Sequence, residues 1–395
     1  MSPRVVVLSA RRTPIGRFLG AFADLLAPDL GTVAARAALA DAGIGPEEVD
    51  EVIFGHARQA GNGPNPARQV AVRSGVPVAR PAFTINQACG SGLQALLQAR
   101  DRIRLGEARI VLAGGMESMS GIPYLLPRAR QGYRLGHAPL VDAMYRDGFD
   151  CPLAGMRMGE TADLLARELG ISREEQDRFA ARSQNRAEAA WREGRFGEEI
   201  AEVAVPSRAG SVRVDRDEHL REGVTPESLG GLPPVFDPRG TVTAGNASGI
   251  TDGAAALVLA SADAARERGV EPLAFLEDGV TAGVDPLRMG IGPVPAVRRL
   301  LERSGRRLPD YDLVELNEAF AAQVLAVDRD LRFDPERLNV NGGAIALGHP
   351  IGASGARIVV TLLHELRRRD GRLGLATLCV SGGMGLAASF SREGP

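Results

Sequence analysis

The stretch NQACGSGLQALL, residues 86–97, joins a short apolar strand to a helix. The apolar run 82–86 predicts the strand, and the apolar stepping of residues 89–104 predicts the helix. Cys89 lies at the junction and is followed by a turn of small residues. A strand that runs directly into a helix is the repeating unit of layered α/β folds. We therefore expect an α/β fold with Cys89 at a turn between its layers.

A second unit with the same order of elements lies in the last third of the chain. Residues 338–340 predict a strand, the glycine-rich GGAIALGHPIGASG at 342–355 follows, and residues 356–369 predict a helix. Residues 373–380 predict a strand that ends in SGGMG, just as the strand predicted at 108–112 runs into GGM. This repetition predicts one α/β unit that is duplicated and paired about a pseudo-dyad, with two twisted sheets covered by helices.

The segment between the two halves differs from both. It carries a basic irregular stretch, a charged helix predicted at 172–195 with Ser172 as its N-cap, and a polar part rich in Pro and Gly. Long insertions of this kind are usually functional, so we expect this one to cover a site. Further strands are predicted at 5–8, 49–55 and 312–316, and further helices at 31–42 and 295–304. The predicted domains are residues 1–119 with 247–270, residues 120–246, and residues 271–395.

Composition narrows the function classes. The chain has 395 residues, which is too long for one ordinary core, and its net charge of -2 gives no electrostatic case for nucleic acid or an anionic membrane. Three cysteines make a disulfide framework unlikely, and the apolar run near the N-terminus is too short for a signal peptide or a membrane span, so a cytoplasmic protein is expected. The chain has no lysine, so phosphate groups must be bound by arginine or by backbone N–H groups.

Cys89 is the first candidate for chemistry. A helix N-terminus offers free N–H groups and positive potential, which we expect to lower the thiol pKa and to stabilise a thiolate. The same N–H groups could hold the oxyanion of a carbonyl that the thiolate attacks. The alternative is a buried packing cysteine at a tight turn.

Three further candidates lie in the second half, one in the glycine-rich loop and two at strand ends. His349 lies in the glycine-dense loop and could be the base that activates a thiol. Cys379 ends the strand at 373–380, where a thiol could act as nucleophile or as acid and base. Asn317, in ELNEAF, ends a strand, and its amide could orient a water or a carbonyl. The alternatives are an incidental histidine in a turn, a small apolar filler and a helix-capping asparagine, respectively. Together, these residues predict a Cys/His/Cys site assembled from both halves.

Six motifs in order carry a family resemblance: NQACGSG, GGMESMS, GTVTAGNASG, NEAF, GGAIALGHPIGASG and CVSGGMG. With these motifs the chain resembles the thiolases, which are acetyl-CoA acetyltransferases and acyltransferases, over almost its whole length. The resemblance implies the thiolase fold, with two similar βα halves in a five-layer αβαβα arrangement and an inserted loop domain. It also implies reversible acyl transfer between acyl-CoA and acetyl-CoA, which gives 3-ketoacyl-CoA and CoA by a ping-pong reaction.

The resemblance assigns a role to each catalytic candidate. It makes Cys89 the acyl-accepting nucleophile, His349 the group that activates it, and Cys379 the group that moves the proton at the α-carbon of acetyl-CoA. One oxyanion site would consist of His349 and a water held by Asn317. The other would consist of the N–H groups of Cys89 and Ser381.

The resemblance also implies the substrates and the residues that bind them. CoA thioesters are the expected substrates and small-molecule partners, with no permanently bound cofactor or metal and no nucleic acid or membrane partner. Arg221 and Ser228 would lie near the nucleotide of CoA. The expected lining of the pantetheine arm and acyl pocket is Met158, Phe236, Ala244, Ser248, Met289, Ala319 and Phe320. A homodimer or homotetramer is expected, with residues 121–145 as a candidate contact in the tetramer.

Two departures and three alternatives complete the prediction. Short-chain biosynthetic members usually carry a His where this chain has Arg157, so specificity for acetoacetyl-CoA is not implied. Ser381 stands where glycine is common.

A ketosynthase-like condensing enzyme is opposed by the combination of Cys379 with NEAF. A catalytically silent CoA or lipid carrier would have lost Cys89, Cys379 or His349. A cysteine hydrolase would not need the second cysteine.

Overall fold

A computed structural model describes residues 3–208 and 210–393 of the chain. Its strands are β1 (Val5–Arg12), β2 (Gly16–Arg17), β3 (Glu51–Gly55), β4 (Ala82–Ile85), β5 (Ile110–Ser118), β6 (Tyr124–Leu125), β7 (Val141–Asp142), β8 (Asp150–Cys151), β9 (Met156–Arg157), β10 (Val203–Ser207), β11 (Gly210–Val214), β12 (Thr251–Ser261), β13 (Ala274–Gly283), β14 (Leu313–Leu316), β15 (Leu373–Val380) and β16 (Met384–Ser391). Its α-helices are α1 (Ala27–Ala42), α2 (Pro66–Arg73), α3 (Ser91–Arg104), α4 (Met158–Leu169), α5 (Arg173–Arg192), α6 (Pro226–Gly230), α7 (Ala262–Arg268), α8 (Pro293–Ser304), α9 (Ala321–Leu331), α10 (Ala344–Leu347) and α11 (Ile351–Arg368). No helix in this described part combines the length and apolar character needed to cross a membrane.

The main sheet has ten strands in the order β14-β15-β16-β13-β1-β12-β5-β3-β4, with β2 beside β12. Each half repeats one pattern, with antiparallel pairs toward the centre and parallel pairs toward the outer edge. The halves join where β1 pairs with β13, through Val6 with Phe275 and Val7 with Ala274. The two predicted sheets are therefore present as two layers, but they are joined at their inner edges into one ten-stranded sheet. The two inner edges pair with each other, which satisfies backbone groups that two separate sheets would leave open.

Helices form layers around this sheet. Helices α3 and α11 lie between the two halves and share one apolar core with strands of both. Helices α1 and α2 cover the outer face of the N-terminal half, and α8 and α9 cover that of the C-terminal half. The order is thus helix, sheet, helix, sheet, helix, which is the five-layer αβαβα arrangement that the resemblance implied.

The glycines of the two motifs bring α3 and α11 into backbone contact. A Cβ atom on Gly355 would lie 2.4 Å from the backbone nitrogen of Leu93, and one on Gly92 would lie 2.7 Å from that of Ala356. Helix α11 begins at Ile351 rather than at the predicted residue 356. The pattern of small residues resembles a loop, but here it serves close helix packing.

The other element predictions hold with shifted ends and one error. Helices α1 and α8 begin earlier than predicted because proline is tolerated in a first helical turn. Helix α5 has Ser172 as its N-cap, and the Ser172 hydroxyl accepts the N–H of Glu175 at 3.2 Å. The strand predicted at 338–340 is reduced to isolated bridges. The Asn339 side chain instead bonds both backbone groups of Leu316 at 2.8 Å, which replaces a regular ladder there.

Candidate active site

A cavity of about 320 Å³ opens between the two halves of the fold, and residues from both halves line it. Of the residues predicted for the site, those that line it are Cys89, Met158, Arg221, Phe236, Ala244, Ser248, Met289, Ala319, Phe320, His349, Cys379 and Ser381. Asn317 is fully buried outside the lining. Ser228 is exposed and bonds Thr225 at the start of α6, away from the cavity.

A strained turn presents Cys89 to this cavity. Ala88 has φ of 45°, a left-handed conformation that costs a residue with a Cβ about 1–2 kcal/mol. The Ser91 hydroxyl accepts the Gln87 N–H at 2.9 Å and donates to the Ala88 carbonyl at 2.7 Å, while the Asn86 side chain accepts the Ala88 N–H. Helix α3 begins only at Ser91, so the prediction that Cys89 starts the helix is wrong by two residues. The strained turn ends the strand and leaves the thiol at its tip.

The electrostatics of Cys89 also differ from the expectation. Burial raises the pKa of the Cys89 thiol, although the charge of Arg58 and the backbone N–H groups of Ser381 and Cys89 act to lower it. The prediction of a lowered pKa is therefore wrong, because desolvation outweighs the N–H groups at this turn. At neutral pH, Cys89 is a thiol, and its reaction as a nucleophile needs a proton acceptor.

His349 has the form of such an acceptor. Its Nδ1 lies 2.5 Å from the Ser354 hydroxyl oxygen, and that hydroxyl donates its single proton to the Pro350 carbonyl at 2.9 Å. With the Ser354 proton directed at the Pro350 carbonyl, Ser354 accepts from Nδ1–H of the imidazole and the lone pair lies on Nε2, which is the tautomer in which Nε2 can act as a base. Nε2 is buried and has no partner among the described residues. Burial, assisted by the charge of Arg357, lowers the pKa of His349 to about 3, so the imidazole is neutral.

Cys379 ends strand β15 and is buried against Met289 and Ala319. Burial raises the pKa of its thiol, and the neighbouring charge of Cys89 raises it further. Two thiols in one cavity therefore cannot easily both ionise. With Cys89 deprotonated, Cys379 remains a proton donor.

Asn317 follows strand β14, where its backbone N–H donates to the Thr377 carbonyl at 3.0 Å. Both polar atoms of its side-chain amide are buried without a partner among the described residues. Buried amides normally have partners, so this amide is available to a ligand or a water. Asn317 is not a helix cap, since α9 begins at Ala321.

The motifs GTVTAGNASG and NEAF contact each other along one wall of the cavity. Ala247 bridges Phe320, the Ser248 N–H donates to the Ala319 carbonyl at 3.0 Å, and the Ala321 N–H donates to the Asn246 carbonyl at 2.9 Å. This backbone pairing fixes the positions of both motifs in the cavity wall that also contains Cys89 and Cys379.

Glu117, in GGMESMS, joins three segments behind the site. Its carboxylate accepts the N–H groups of Ala57 at 3.3 Å, Arg58 at 3.0 Å and Gly352 at 2.8 Å. The end of β5 is thereby tied to the loop after β3 and to the first turn of α11, next to His349. Buried carboxylates of this kind are held by multiple N–H donors.

Arg157 supports the part of the cavity wall formed by Phe236 and Phe320 without lining the cavity itself. Its guanidinium donates to Glu160 and, at 2.8 Å, to the Phe236 carbonyl, and it lies over the Phe236 ring. Phe236 packs edge to face on Phe320 at 6.2 Å between ring centroids. The residue that departs from the short-chain pattern thus holds a wall residue in place.

Several lining residues were missed from the sequence: Arg58, Met119, Tyr145, Phe149, His219, Ile250 and Ile351. Burial and the charge of Arg221 lower the pKa of His219 to about 4, so it too is neutral. Met119 and Ile351 lie in the quoted motifs GGMESMS and GGAIALGHPIGASG, but nothing in those motifs marks them as lining residues. Arg58, Tyr145, Phe149 and His219 lie in none of the six motifs, and only the fold brings them to the cavity. The glycine-rich turns gave a signal for Cys89 and His349 alone.

Comparisons with known proteins identify the family of the chain. The thiolase N-terminal domain model matches residues 5–263, and the thiolase C-terminal domain model matches residues 270–392. The chain is 53% identical to an acetyl-CoA acetyltransferase of Cupriavidus necator over 98% of this chain and 99% of that protein. It is 52% identical to a probable acetyl-CoA acyltransferase of Staphylococcus aureus over 98% and 99% of the two chains.

Solved structures confirm the expected fold. An acetyl-CoA acetyltransferase from Syntrophomonas wolfei superposes with a TM-score of 0.98 at 43% identity and covers 100% of both chains. Human mitochondrial 3-ketoacyl-CoA thiolase in complex with CoA superposes with a TM-score of 0.95 at 44% identity, covering 99% of this chain and 98% of that one. The chain belongs to the thiolase family.

Proposed function

We propose that this thiolase carries acyl groups on Cys89, with His349 as base and Cys379 as a separate acid and base, and that its substrates are CoA thioesters. One observation carries the proposal. A neutral imidazole with a buried, unpartnered Nε2 lines the same cavity as two protonated thiols. Acyl transfer with carbon–carbon bond cleavage needs a nucleophile, its base and a second proton carrier.

In the cleavage direction, Nε2 of His349 takes the Cys89 proton, and the sulfur attacks C3 of a 3-ketoacyl-CoA. The N–H groups of Cys89 and Ser381 hold the resulting oxyanion. Both N–H groups lie close enough to the Cys89 sulfur to lower its pKa, which supports this assignment. The C2–C3 bond then breaks, and its electron pair becomes the enolate of acetyl-CoA. Cys379 protonates that enolate, so acetyl-CoA leaves and the acyl group stays on Cys89.

In the second half-reaction, the thiol of free CoA gives its proton to the Cys379 thiolate and attacks the acyl group. The Cys89 sulfur leaves and regains its proton from the imidazolium of His349. Every group returns to its starting state, and the synthetic direction is the reverse. The unpartnered amide of Asn317, through a water, and His349 would stabilise the enolate oxygen.

The substrate arm enters along the wall built from GTVTAGNASG and NEAF. Met158, Phe236, Ala244 and Ser248 are proposed to contact the pantetheine. Arg221 is exposed at the rim and is proposed to meet the phosphates, where its fork suits them. Ser228 is proposed to contact the nucleotide from its exposed position on α6.

The alternatives lack comparable support. A catalytically inactive protein that only carries CoA or lipid would not need a strained turn at Cys89 or a hydrogen bond to Ser354 that orients His349. A hydrolase gives no role to Cys379. A ketosynthase-like enzyme remains the alternative condensing chemistry, and it would show no thiolysis by free CoA.

We further propose a homo-oligomer in the cytoplasm. Residues 126–140 are all exposed and include Tyr133, Leu135 and Leu140, with Leu135 at 101% exposure. Large apolar side chains that are exposed together are typical of a protein contact, and this basic stretch that carries them is proposed to join dimers into a tetramer. Deleting 126–140 is expected to halve the mass seen by light scattering, while an unchanged mass would contradict this assignment.

The roles of the two thiols are tested by intact-protein mass spectrometry with acetyl-CoA. Wild type is expected to gain one acetyl group, and Cys89→Ala none. Cys379→Ala is expected to acetylate Cys89 but to lose thiolysis and condensation. Cys151→Ala is the matched control, because Cys151 is buried outside the cavity. Turnover by Cys89→Ala would sink the proposal, and equal loss of acetylation in Cys379→Ala would refute the division of roles.

A further inference from the structure

Arg58 is a buried cation in the wall of the active-site cavity. It lies in the loop after β3, is 9% exposed, and lines the cavity together with Cys89 and His349. Its backbone is fixed, since its N–H donates to Glu117 at 3.0 Å. The chemistry proposed above gives it no role.

Within residues 3–208 and 210–393, the guanidinium of Arg58 has no partner of its own. Among the described residues, no hydrogen bond or ion pair engages it, and its Nε is buried without an acceptor. Glu117 is close enough for its charge to matter, but its oxygens are occupied. They accept N–H groups of Ala57, Arg58 and Gly352, and one lies 3.1 Å from Nε2 of His56. A buried arginine is normally paired, so these free N–H donors indicate a ligand that is anionic.

The surroundings of Arg58 place that ligand on the acyl side of the cavity. An apolar cluster that includes Ala57, Met119 and Ile351 packs against Cys89, and Arg58 follows Ala57 directly. A Cβ atom on Gly148 would lie 2.8 Å from Nε of Arg58, so the guanidinium rests against bare backbone there. The pocket beside the nucleophile is therefore apolar but is bordered by a cation.

We propose that this pocket accepts acyl groups whose far end carries a carboxylate, with Arg58 as the counter-ion. The inference rests on the proposed function, because the acyl group in question is the one carried by Cys89. An alkyl end would leave the buried cation unpaired, whereas a carboxylate matches the planar fork of guanidinium with two acceptors. The CoA phosphates suit exposed Arg221 at the rim instead. The substrate class is thus CoA thioesters of dicarboxylic acids and their 3-keto derivatives.

The test compares two substrates of equal length in thiolysis by free CoA. One is 3-ketohexanoyl-CoA, and the other has the same six-carbon acyl chain with C6 as a carboxylate instead of a methyl group. A second pair of the same kind has eight carbons in the acyl chain. The measured quantity is the ratio of kcat/KM within each pair, so a general loss of activity cancels. Wild type is expected to favour the carboxylate at one length by about 10-fold or more, the value of a charge-assisted hydrogen bond in a buried site.

Three variants separate the explanations. Arg58→Met is expected to lower the ratio by about 10-fold or more, and Arg58→Lys to give an intermediate ratio, since it keeps the charge but not the fork. Arg221→Met, the matched control at the rim, is expected to slow both substrates equally. Equal slowing of both substrates in Arg58→Met would mean that Arg58 serves the Cys89 thiolate, and the proposal would be overturned.

The wild-type protein alone can also decide the matter. If Arg58→Met does not fold, as judged by its melting temperature, the wild-type ratios and Arg58→Lys remain. A wild-type ratio near one at both lengths overturns the inference while leaving the thiolase chemistry intact. If wild type cleaves neither member of either pair, nor acetoacetyl-CoA, the proposed function itself fails.

Discussion

The tautomer of His349 depends on one hydroxyl, and Ser354→Ala tests that dependence. Without the Ser354 oxygen, the Nδ1–H of His349 loses its acceptor at 2.5 Å. Ser354 is fully buried, so no bulk water replaces it. The imidazole then either keeps a buried unsatisfied donor or moves its proton to Nε2, and the second outcome removes the lone pair that is proposed to take the Cys89 proton.

The magnitude follows from the cost of an unsatisfied buried donor, which is about 1–3 kcal/mol. At about 1.4 kcal/mol per factor of ten, kcat for thiolysis is expected to fall by about 5- to 150-fold. The assay is stopped-flow thiolysis of acetoacetyl-CoA together with the rate of Cys89 alkylation by iodoacetamide. Both rates are expected to fall together, because both need the Cys89 proton to be removed.

Ser389→Ala provides the matched control. Ser389 is equally buried, in β16, but its hydroxyl bonds Tyr311 and not the catalytic histidine. It is expected to retain the wild-type alkylation rate. If Ser354→Ala alkylates and turns over like wild type, or if Ser389→Ala loses as much, then the argument that Ser354 sets the tautomer is refuted.

Three further predictions concern packing, pH and the cavity wall. Gly355→Ala is expected to lower the free energy of unfolding in urea by about 1–3 kcal/mol, because the added Cβ meets the Leu93 backbone. Gly231→Ala is the control, since a Cβ there lies in open space. Equal stability of the two variants would contradict the close contact. The pKa of His349, lowered from 6.5 to about 3, means that the unfolded state binds more protons between those values, so stability is expected to fall as the pH drops below about 6.5. His349→Asn should lessen that fall, and an unchanged slope of melting temperature against pH would refute it. Arg157→Ala frees the Phe236 carbonyl and is expected to raise KM for acyl-CoA more than it lowers kcat, whereas a change in kcat alone would argue against a wall role.

The sequence predicts the layers and the reactive residues better than it predicts their environment. The repeated order of strand, small-residue turn and helix was enough to predict Cys89 at the turn before α3 and Cys379 at the end of the strand that follows α11. The joining of β1 to β13 was not predictable, because edge pairing leaves no local pattern. The end of the glycine-rich run, residues 351–355, was taken for part of a loop, although it forms the first turn of α11.

The site shows the same limit in its electrostatics. A helix start next to Cys89 suggested a lowered thiol pKa, but burial from distant segments raises it. Arg58 lies outside all six motifs, and only the folding of the chain brings it to the cavity. Local spacing thus points to the candidates for nucleophile and base, while charge balance and pocket shape depend on contacts between residues far apart in sequence.

The shared central core has a consequence for dividing the chain. The two family domains meet between residues 263 and 270, yet the core around α3 and α11 draws its apolar residues from both. Neither half therefore buries its inner face alone, and separately expressed fragments are expected to assemble only on mixing. The two family domains are therefore expected to unfold together as one cooperative unit. An ancestral protein with a single half would have needed a second copy of itself to bury the same face.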